Sequence, residues 1–266
     1  KAIELKLDIS PIYQKKKLPA TKFEFTIEDE PESTLTYEDI PWRDGPIPPE
    51  HLFKGRKKLI ADLAQHYLSV EKDKPYILYG LTRTGKSSIL EYLRKNLEGD
   101  TFITQGKGKL VLTFKWELNV ADSYNKASDF WNYTLFQQTF VELEKYSIEY
   151  DFSLNGLKIA ENNVRAKDFK IILDFLESNN LYPIFFVDEF SFIKSLIDKQ
   201  TVNAAFLHTL RQYSLDGLAS FIFAGTYDIK ALIKDPKYGI TGQLVHAIDE
   251  QVNEISDDAA EELIEV

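Results

Sequence analysis

The segment that most constrains the fold of this chain runs from Gly80 to Ser87 and has the sequence Gly-Leu-Thr-Arg-Thr-Gly-Lys-Ser. It follows a short apolar run at residues 75–79 and precedes residues 86–97, whose apolar side chains recur at helical spacing. Glycines at both ends allow the backbone to wrap closely, with its N–H groups pointing inward beside a helix N-terminus that favours negative charge. A strand, a glycine-bounded loop and a helix in this order are typical of a phosphate-binding loop.

The loop residues have distinct expected roles at a nucleotide. Lys86 is expected to reach the β- and γ-phosphates, and Ser87 is expected to ligate Mg²⁺. Residues 125–128 lack the final Asp of a guanine-reading tetrapeptide, so ATP is expected rather than GTP. The loop residues predicted to bind the nucleotide are Gly80, Thr82, Arg83, Thr84, Gly85, Lys86, Ser87 and Ser88.

Two further strand ends carry candidate chemistry. The apolar run from Ile184 ends in Asp188 and Glu189, the arrangement in which the Asp holds Mg²⁺ and the Glu activates the attacking water. By themselves, two solvated acids after a core strand would be the simpler interpretation, but the phosphate loop favours the catalytic one. Thr226 follows a third apolar strand and is a candidate sensor of the γ-phosphate, with an ordinary turn Thr as the alternative.

The order of apolar patterns predicts the fold class. Continuous apolar strands that alternate with amphipathic helices indicate a parallel sheet covered on both faces, and the phosphate loop makes this a three-layer αβα P-loop NTPase. We assign the ATPase domain to residues 41–255, an extended N-terminal arm to 1–40, and the start of a truncated helical lid, N-capped by Ser256, to 256–266. The predicted helices are 55–70, 86–97, 128–146, 165–178 and 202–215, and the predicted strands are 75–79, 109–114, 182–187, 219–224 and 251–255.

Composition excludes several classes of protein. The chain has 266 residues, no Cys and only four His, so disulfides, thiolate nucleophiles and Cys-based metal sites are impossible and a cytoplasmic location is expected. No apolar run approaches the length of a membrane span, so no membrane partner is expected. Eight of the 42 acids follow Lys237 and no Lys or Arg does, which leaves 34 acids against 32 bases before it. A near-neutral body gives no electrostatic indication of nucleic-acid binding and does not exclude it. The absence of Met indicates an internal piece of a longer protein or a chain with residues missing.

Several motifs together resemble one family of ATPases. The chain resembles the AAA+-related STAND ATPases, which include archaeal-type ATPases and the NLR-like proteins of bacterial antiphage defence. The residues that carry the resemblance are Leu52 to Arg56, Leu78 to Ser88, Phe186 to Phe190, Leu210-Arg211 and Phe223 to Thr226.

This resemblance implies further site residues. The Phe-x-Gly-Arg segment of such proteins packs over the adenine, which makes Phe53, Gly55, Arg56 and Ile47 candidates for the adenine pocket. It also makes Arg211 a candidate contact to the γ-phosphate or between domains, although a surface ion pair is an equal alternative. Many family members carry Arg next to the sensor position, where this chain has Tyr227.

The resemblance implies a P-loop NTPase fold of the ASCE or AAA+-like type. It also implies an ATP-hydrolysing switch with Glu189 as catalytic residue, self-association or a partner protein, and an effector elsewhere. An initiator-type AAA+ ATPase of the ORC/Cdc6 group, which acts on DNA, is one alternative. A nonhydrolysing ATP-gated scaffold is the other.

Overall fold

The computed structural model describes residues 3–9, 12–13, 16–17, 21–27, 54–68, 74–99, 101–104, 107–118, 136–146, 166–202, 205–238, 244, 247–256, 259 and 261. The chain divides into two units, Lys1–Arg43 and Asp44–Val266. Within the described part of the chain, no helix combines the length and the apolar composition that crossing a bilayer requires.

The N-terminal unit contains two antiparallel strand pairs. β1 (Ile3–Ile9) pairs with β4 (Thr21–Ile27), and between them β2 (Ile12–Tyr13) pairs with β3 (Lys16–Lys17). Extended backbone was expected here, and its antiparallel pairing was not.

The second unit alternates strands and helices in the predicted manner. Its strands are β5 (Tyr76–Tyr79), β6 (Thr101–Thr104), β7 (Lys107–Glu117), β8 (Leu181–Asp188), β9 (Ser220–Gly225) and β10 (Ile248–Gln251). Its helices are α1 (Lys57–Leu68), α2 (Lys86–Leu97), α3 (Gln138–Lys145), α4 (Ala166–Ser178), α5 (Ile193–Asp198), α6 (Ala205–Leu215) and α7 (Asp228–Lys234), with 3₁₀ turns at Phe190–Phe192 and Pro236–Tyr238.

These strands form one sheet in the order β10-β5-β9-β8-β7-β6. The five strands from β10 to β7 are parallel, and β6 runs antiparallel to β7 at the edge. The register places Tyr79 beside Gly225 and Glu117 beside Asp188. Because parallel strands end at the same edge, the loops after β5, β7, β8 and β9 meet there.

Successive residues of the central strands enter two different cores. Phe185 packs in one core, with Trp116 and Phe221, whereas its neighbour Phe186 packs in the other, with Leu78. Residues of α1 and α2 complete the second core, and residues of α4 and α6 belong to the first. Burial of both sheet faces confirms the predicted three-layer αβα fold.

Element boundaries differ from prediction mainly at the edges. The predicted strand at 251–255 is wrong, because the strand is Ile248–Gln251, an edge strand whose residues alternate between half-buried and exposed and therefore form no apolar run. Strand β6 and the short helices α5 and α7 were not predicted. The predicted helix at 128–146 is described only from residue 136, and the irregular stretch 147–164 lies outside the described residues. Ser256 Oγ accepts the Ala259 N–H at 3.4 Å, as an N-cap does.

Candidate functional site

Two glycines shape the loop between β5 and α2 for different reasons. A Cβ on Gly80 would lie 2.3 Å from the Val252 carbonyl oxygen, so crowding by backbone requires glycine there. Gly85 has φ +85°, a left-handed conformation that side chains rarely adopt, while a Cβ added to it would meet nothing within 4 Å. The loop is therefore packed tightly where it leaves the sheet and open where it enters the helix.

Lys86 lies across its own loop. Its Nζ donates to the carbonyl oxygens of Gly80 at 3.2 Å and Leu81 at 2.6 Å, and the residue is only 9% exposed. Burial lowers the pKa of Lys86, and the negative charges of Glu189 and Asp188 oppose that shift. The ammonium group therefore bonds to the loop backbone and interacts electrostatically with the two acids, and its contact to a phosphate remains a prediction.

The other loop candidates differ in exposure. Thr84 Oγ1 also donates to the Leu81 carbonyl, at 2.9 Å. Thr82 and Arg83 are exposed, and Arg83 has a positive φ of 67°. Ser87 and Ser88 are half-buried in the first turn of α2. Their contacts to a nucleotide remain predictions.

The two acids at the end of β8 are held differently. Asp188 is 6% exposed, and its Oδ1 accepts the Glu189 N–H at 2.9 Å. Glu189 has φ +53°, uncommon for a residue with a side chain. Burial raises the pKa of Glu189, the charges of Asp188 and Glu117 raise it further, and that of Lys86 lowers it. A raised pKa brings a carboxylate closer to the working range of a general base.

Glu117 is an acid of this site that sequence reasoning missed. It ends β7 beside Asp188, and its Oε1 lies 2.5 Å from Lys115 Nζ. Lys115 also pairs at 3.4 Å with Glu91 of α2. The predicted strand stopped at Phe114, so these residues were not placed at a strand end.

Thr226 is hydrogen-bonded to Ser191, a second residue that sequence reasoning missed. The Thr226 N–H donates to Ser191 Oγ at 2.8 Å, and the two hydroxyl oxygens are 2.9 Å apart. A Cβ on Gly225 would lie 2.5 Å from Ser191 Oγ, so this glycine permits the approach. Thr226, Ser191 and Glu189 line a shared open groove of about 580 Å³. The only sequence signal for Ser191 was that a hydroxyl residue stands two positions after Glu189.

The structure describes two of the four predicted adenine-pocket residues, Gly55 and Arg56. Gly55 has φ +73°, and a Cβ on it would lie 2.7 Å from Ala259 Cβ, while Arg56 donates from its guanidinium to the Asn253 carbonyl. Burial lowers the pKa of Arg56. Both residues thus contact the segment after β10, and their adenine role remains a prediction. Two further candidates, Phe53 and Ile47, lie outside the described residues.

Arg211 lies half-buried on α6. The contacts described above for Lys86, Asp188, Glu189 and Thr226 do not involve Arg211. Its role near the γ-phosphate stays a prediction.

The groups at this edge of the sheet suit a phosphate and the metal ion that accompanies it. The N-terminus of α2 and the ammonium group of Lys86 can bind phosphate oxygens. Asp188 offers a carboxylate oxygen to a metal ion, and Glu189 is a carboxylate with a raised pKa. In the described ranges no group of three or more His, Asp or Glu is arranged to hold a metal ion. Mg²⁺ commonly binds through one or two protein oxygens together with substrate phosphates, which Ser87 and Asp188 fit.

Comparisons with known proteins identify the fold. The sequence matches no protein-family model and no curated protein. The fold is similar to that of the ORC2 protein of Aeropyrum pernix in ADPNP–ADP complexes, with 16% identity and a TM-score of 0.51 over 77% of this chain and 49% of that one. It is similar to the ORC1 protein of the same organism in complex with DNA, with 14% identity and a TM-score of 0.51 over 82% and 50%. The Walker-type ATPase PABY2304 of Pyrococcus abyssi gives 15% identity and a TM-score of 0.56 over 84% and 60%.

This chain spans between 49% and 60% of the length of those three structures. The likeness to these structures is one of fold, a three-layer αβα arrangement around a parallel sheet.

Proposed function

We propose that this chain is the nucleotide-binding module of an ATP-hydrolysing molecular switch. The observation that carries the proposal is the position of Lys86, which lies on the glycine-bounded loop and faces Asp188 and Glu189. Among the described residues, the acceptors of this ammonium group are carbonyl oxygens of its own loop, which phosphate oxygens could replace with a charge-assisted hydrogen bond.

The residues would divide the work of hydrolysis as follows. Lys86 and the N-terminus of α2 bind the phosphates of ATP, and Glu189 accepts a proton from the attacking water. Mg²⁺, held by Ser87 and Asp188, neutralises phosphate charge when bound. Thr226, oriented by Ser191, provides a hydroxyl beside the terminal phosphate.

We further propose that the switch is of the STAND type, part of a larger signalling or antiphage defence protein. The motif set that includes Gly55-Arg56, the loop, the acid pair and Thr226 supports this assignment. Self-association or a partner protein would then read the nucleotide state, and the segment from Ser256 would lead into a lid.

An initiator-type ATPase acting on DNA is the second candidate. The similarity to the ORC folds favours it, because one of those structures is a DNA complex. A nonhydrolysing scaffold with the same ATP site would bind without turnover, and Glu189 argues against it.

Calorimetry with Mg-ATP tests the nucleotide site. Lys86→Ala is expected to weaken ATP binding at least tenfold, or about 1.4 kcal/mol. Lys95→Ala is the matched control, because Lys95 is an exposed lysine on the same helix. Equal affinity of wild type and a folded Lys86→Ala variant would remove the assignment.

Phosphate release with and without duplex DNA separates the two switch types. A STAND-type switch is expected to hydrolyse ATP at the same rate in both conditions. Stimulation by DNA would favour the initiator-type function. Binding without any release would favour the scaffold.

A further inference from the structure

Residues 248–256 run past the start of the phosphate loop, and together with Ala259 we call them the strap. The Val252 N–H donates to the Tyr79 carbonyl at 2.7 Å, and the Val252 carbonyl crowds Gly80. The strap therefore touches the backbone that opens the loop, and a shift of either one would displace the other.

One side of the strap is bound to the segment that follows Thr226. Gln251 Nε2 donates to the Tyr227 hydroxyl at 2.8 Å, and Lys230 pairs with Asp249 at 2.5 Å. The ring of Tyr227 meets Tyr79 edge-on with centroids 5.7 Å apart, and Lys230 Nζ lies 4.1 Å from the centroid of Tyr79. The candidate sensor segment and the strap thus share a packed contact over β5.

The other side of the strap is bound to Gly55 and Arg56. Arg56 donates to the Asn253 carbonyl, and Gly55 packs against Ala259. Gln251 Nε2 also donates to Asn253 Oδ1 at 2.7 Å. One amide group therefore bonds to both Tyr227 and Asn253.

These contacts form a continuous chain from Thr226 to Arg56. Tyr227 is the covalent neighbour of Thr226, and Gln251 joins Tyr227 to Asn253, which accepts from Arg56. We propose that Gln251 is a positioning residue that couples contact of Thr226 with a third phosphate to the placement of Arg56. The inference rests on the proposed function, and it concerns discrimination between ATP and ADP rather than binding itself.

The expected effect follows from the strength of one exposed hydrogen bond. Such a bond contributes modestly, so its loss changes an equilibrium by a factor of about three to ten. ATP supplies the phosphate that would engage Thr226 and ADP does not, so loss of Gln251 affects ATP alone. A residue that only stabilised the fold would change both affinities together.

The test measures the dissociation constants of ATP and ADP by calorimetry for the full 266-residue chain. Gln251→Ala and Tyr227→Phe are each expected to lower the preference for ATP over ADP by about threefold or more. Tyr227→Phe keeps the ring that packs against Tyr79 and removes only the hydroxyl. It therefore tests the series of contacts from Thr226 to Arg56 even where Gln251→Ala unfolds the strap. Gln212→Ala is the matched control, because Gln212 of α6 makes a similar exposed hydrogen bond at 2.7 Å to Asp216, the residue after that helix.

A second arm uses Arg56→Met as background. If Gln251 acts through Arg56, adding Gln251→Ala to Arg56→Met is expected to leave the ATP-to-ADP preference unchanged. Wild-type preference in Gln251→Ala and Tyr227→Phe, with ATP still bound, would overturn the coupling and leave the proposed function standing. A wild-type chain that binds neither nucleotide would overturn the proposed function and, with it, the coupling.

Discussion

Gly80→Ala tests how the strap holds the phosphate loop. The new Cβ would lie 2.3 Å from the Val252 carbonyl oxygen and 3.3 Å from Thr84 Oγ1. The residue that carries this carbonyl is held in place, because the Val252 N–H is bonded to Tyr79 and the preceding strand β10 is paired with β5. Overpacking of this kind costs about 1–3 kcal/mol, and an unyielding backbone neighbour places this case at about 2–3 kcal/mol. For a unit of this size the melting temperature would fall by about 4–12 °C.

Thermal unfolding followed by circular dichroism measures this loss. Gly217→Ala is the control, because Gly217 also requires glycine, with φ +70°, yet a Cβ there meets nothing within 4 Å. Backbone strain alone is then expected, at about 1–2 kcal/mol. Amide hydrogen exchange adds a local readout, since displacement of Val252 exposes its N–H and those of β10 in Gly80→Ala only.

The reasoning would be refuted by a specific pair of results. If Gly80→Ala melts no lower than Gly217→Ala, and exchange in β10 is unchanged, then the strap does not press on the loop.

Three further predictions concern the acids, the sensor and the sheet. Because the pKa of Glu189 is raised above the ordinary 4.5, a base at this position becomes protonated at a pH above 4.5, and turnover is expected to fall as pH drops through that value. A rate profile with its half-maximal pH at or below 4.5 would count against Glu189 as the base. Ser191→Ala removes the hydroxyl that hydrogen-bonds both the N–H and the hydroxyl of Thr226, while the 3.3 Å bond from Thr226 Oγ1 to Asp228 remains. This variant is expected to lower phosphate release by about threefold or more, whereas Ser195→Ala in the same groove should not. Tyr182→Phe leaves the buried Ser220 hydroxyl without its 2.7 Å partner and should cost about 1–3 kcal/mol in urea unfolding, and an unshifted midpoint would contradict this.

The central part of the fold was predictable because its signals are local. The helix predicted at residues 86–97 is α2 with the same ends, and the strands predicted at 182–187 and 219–224 differ from β8 and β9 by one residue at either end. Buried parallel strands are continuous apolar runs, so their pattern is visible without the structure.

The edges were not predictable, because edge strands need no apolar run. β10 alternates half-buried and exposed residues, and the prediction was displaced onto the residues that follow it. β6 is antiparallel to β7 and only two residues separate them. The predicted strand at 109–114 covered the middle of β7, and β6 was not predicted.

The site was predictable where a motif holds its residues together. Lys86 and Asp188 were candidates because of a motif and the strands and helix beside it, whereas Ser191 reaches Thr226 from 35 residues away. The Asn253 carbonyl that binds Arg56 is 197 residues distant in sequence. Such partners depend on the sheet order, which brings together loops that no short pattern connects.

The measurement that tests the central claim most directly compares Glu189→Gln with Asp188→Ala in Mg-ATP binding and phosphate release. Glu189→Gln keeps the side-chain size and removes the base, so it is expected to bind Mg-ATP within about threefold of wild type and to lose at least about 100-fold in turnover. Asp188→Ala is expected to weaken both, since Asp188 also orders the Glu189 backbone. A Glu189→Gln variant that hydrolyses ATP at the wild-type rate would contradict the account.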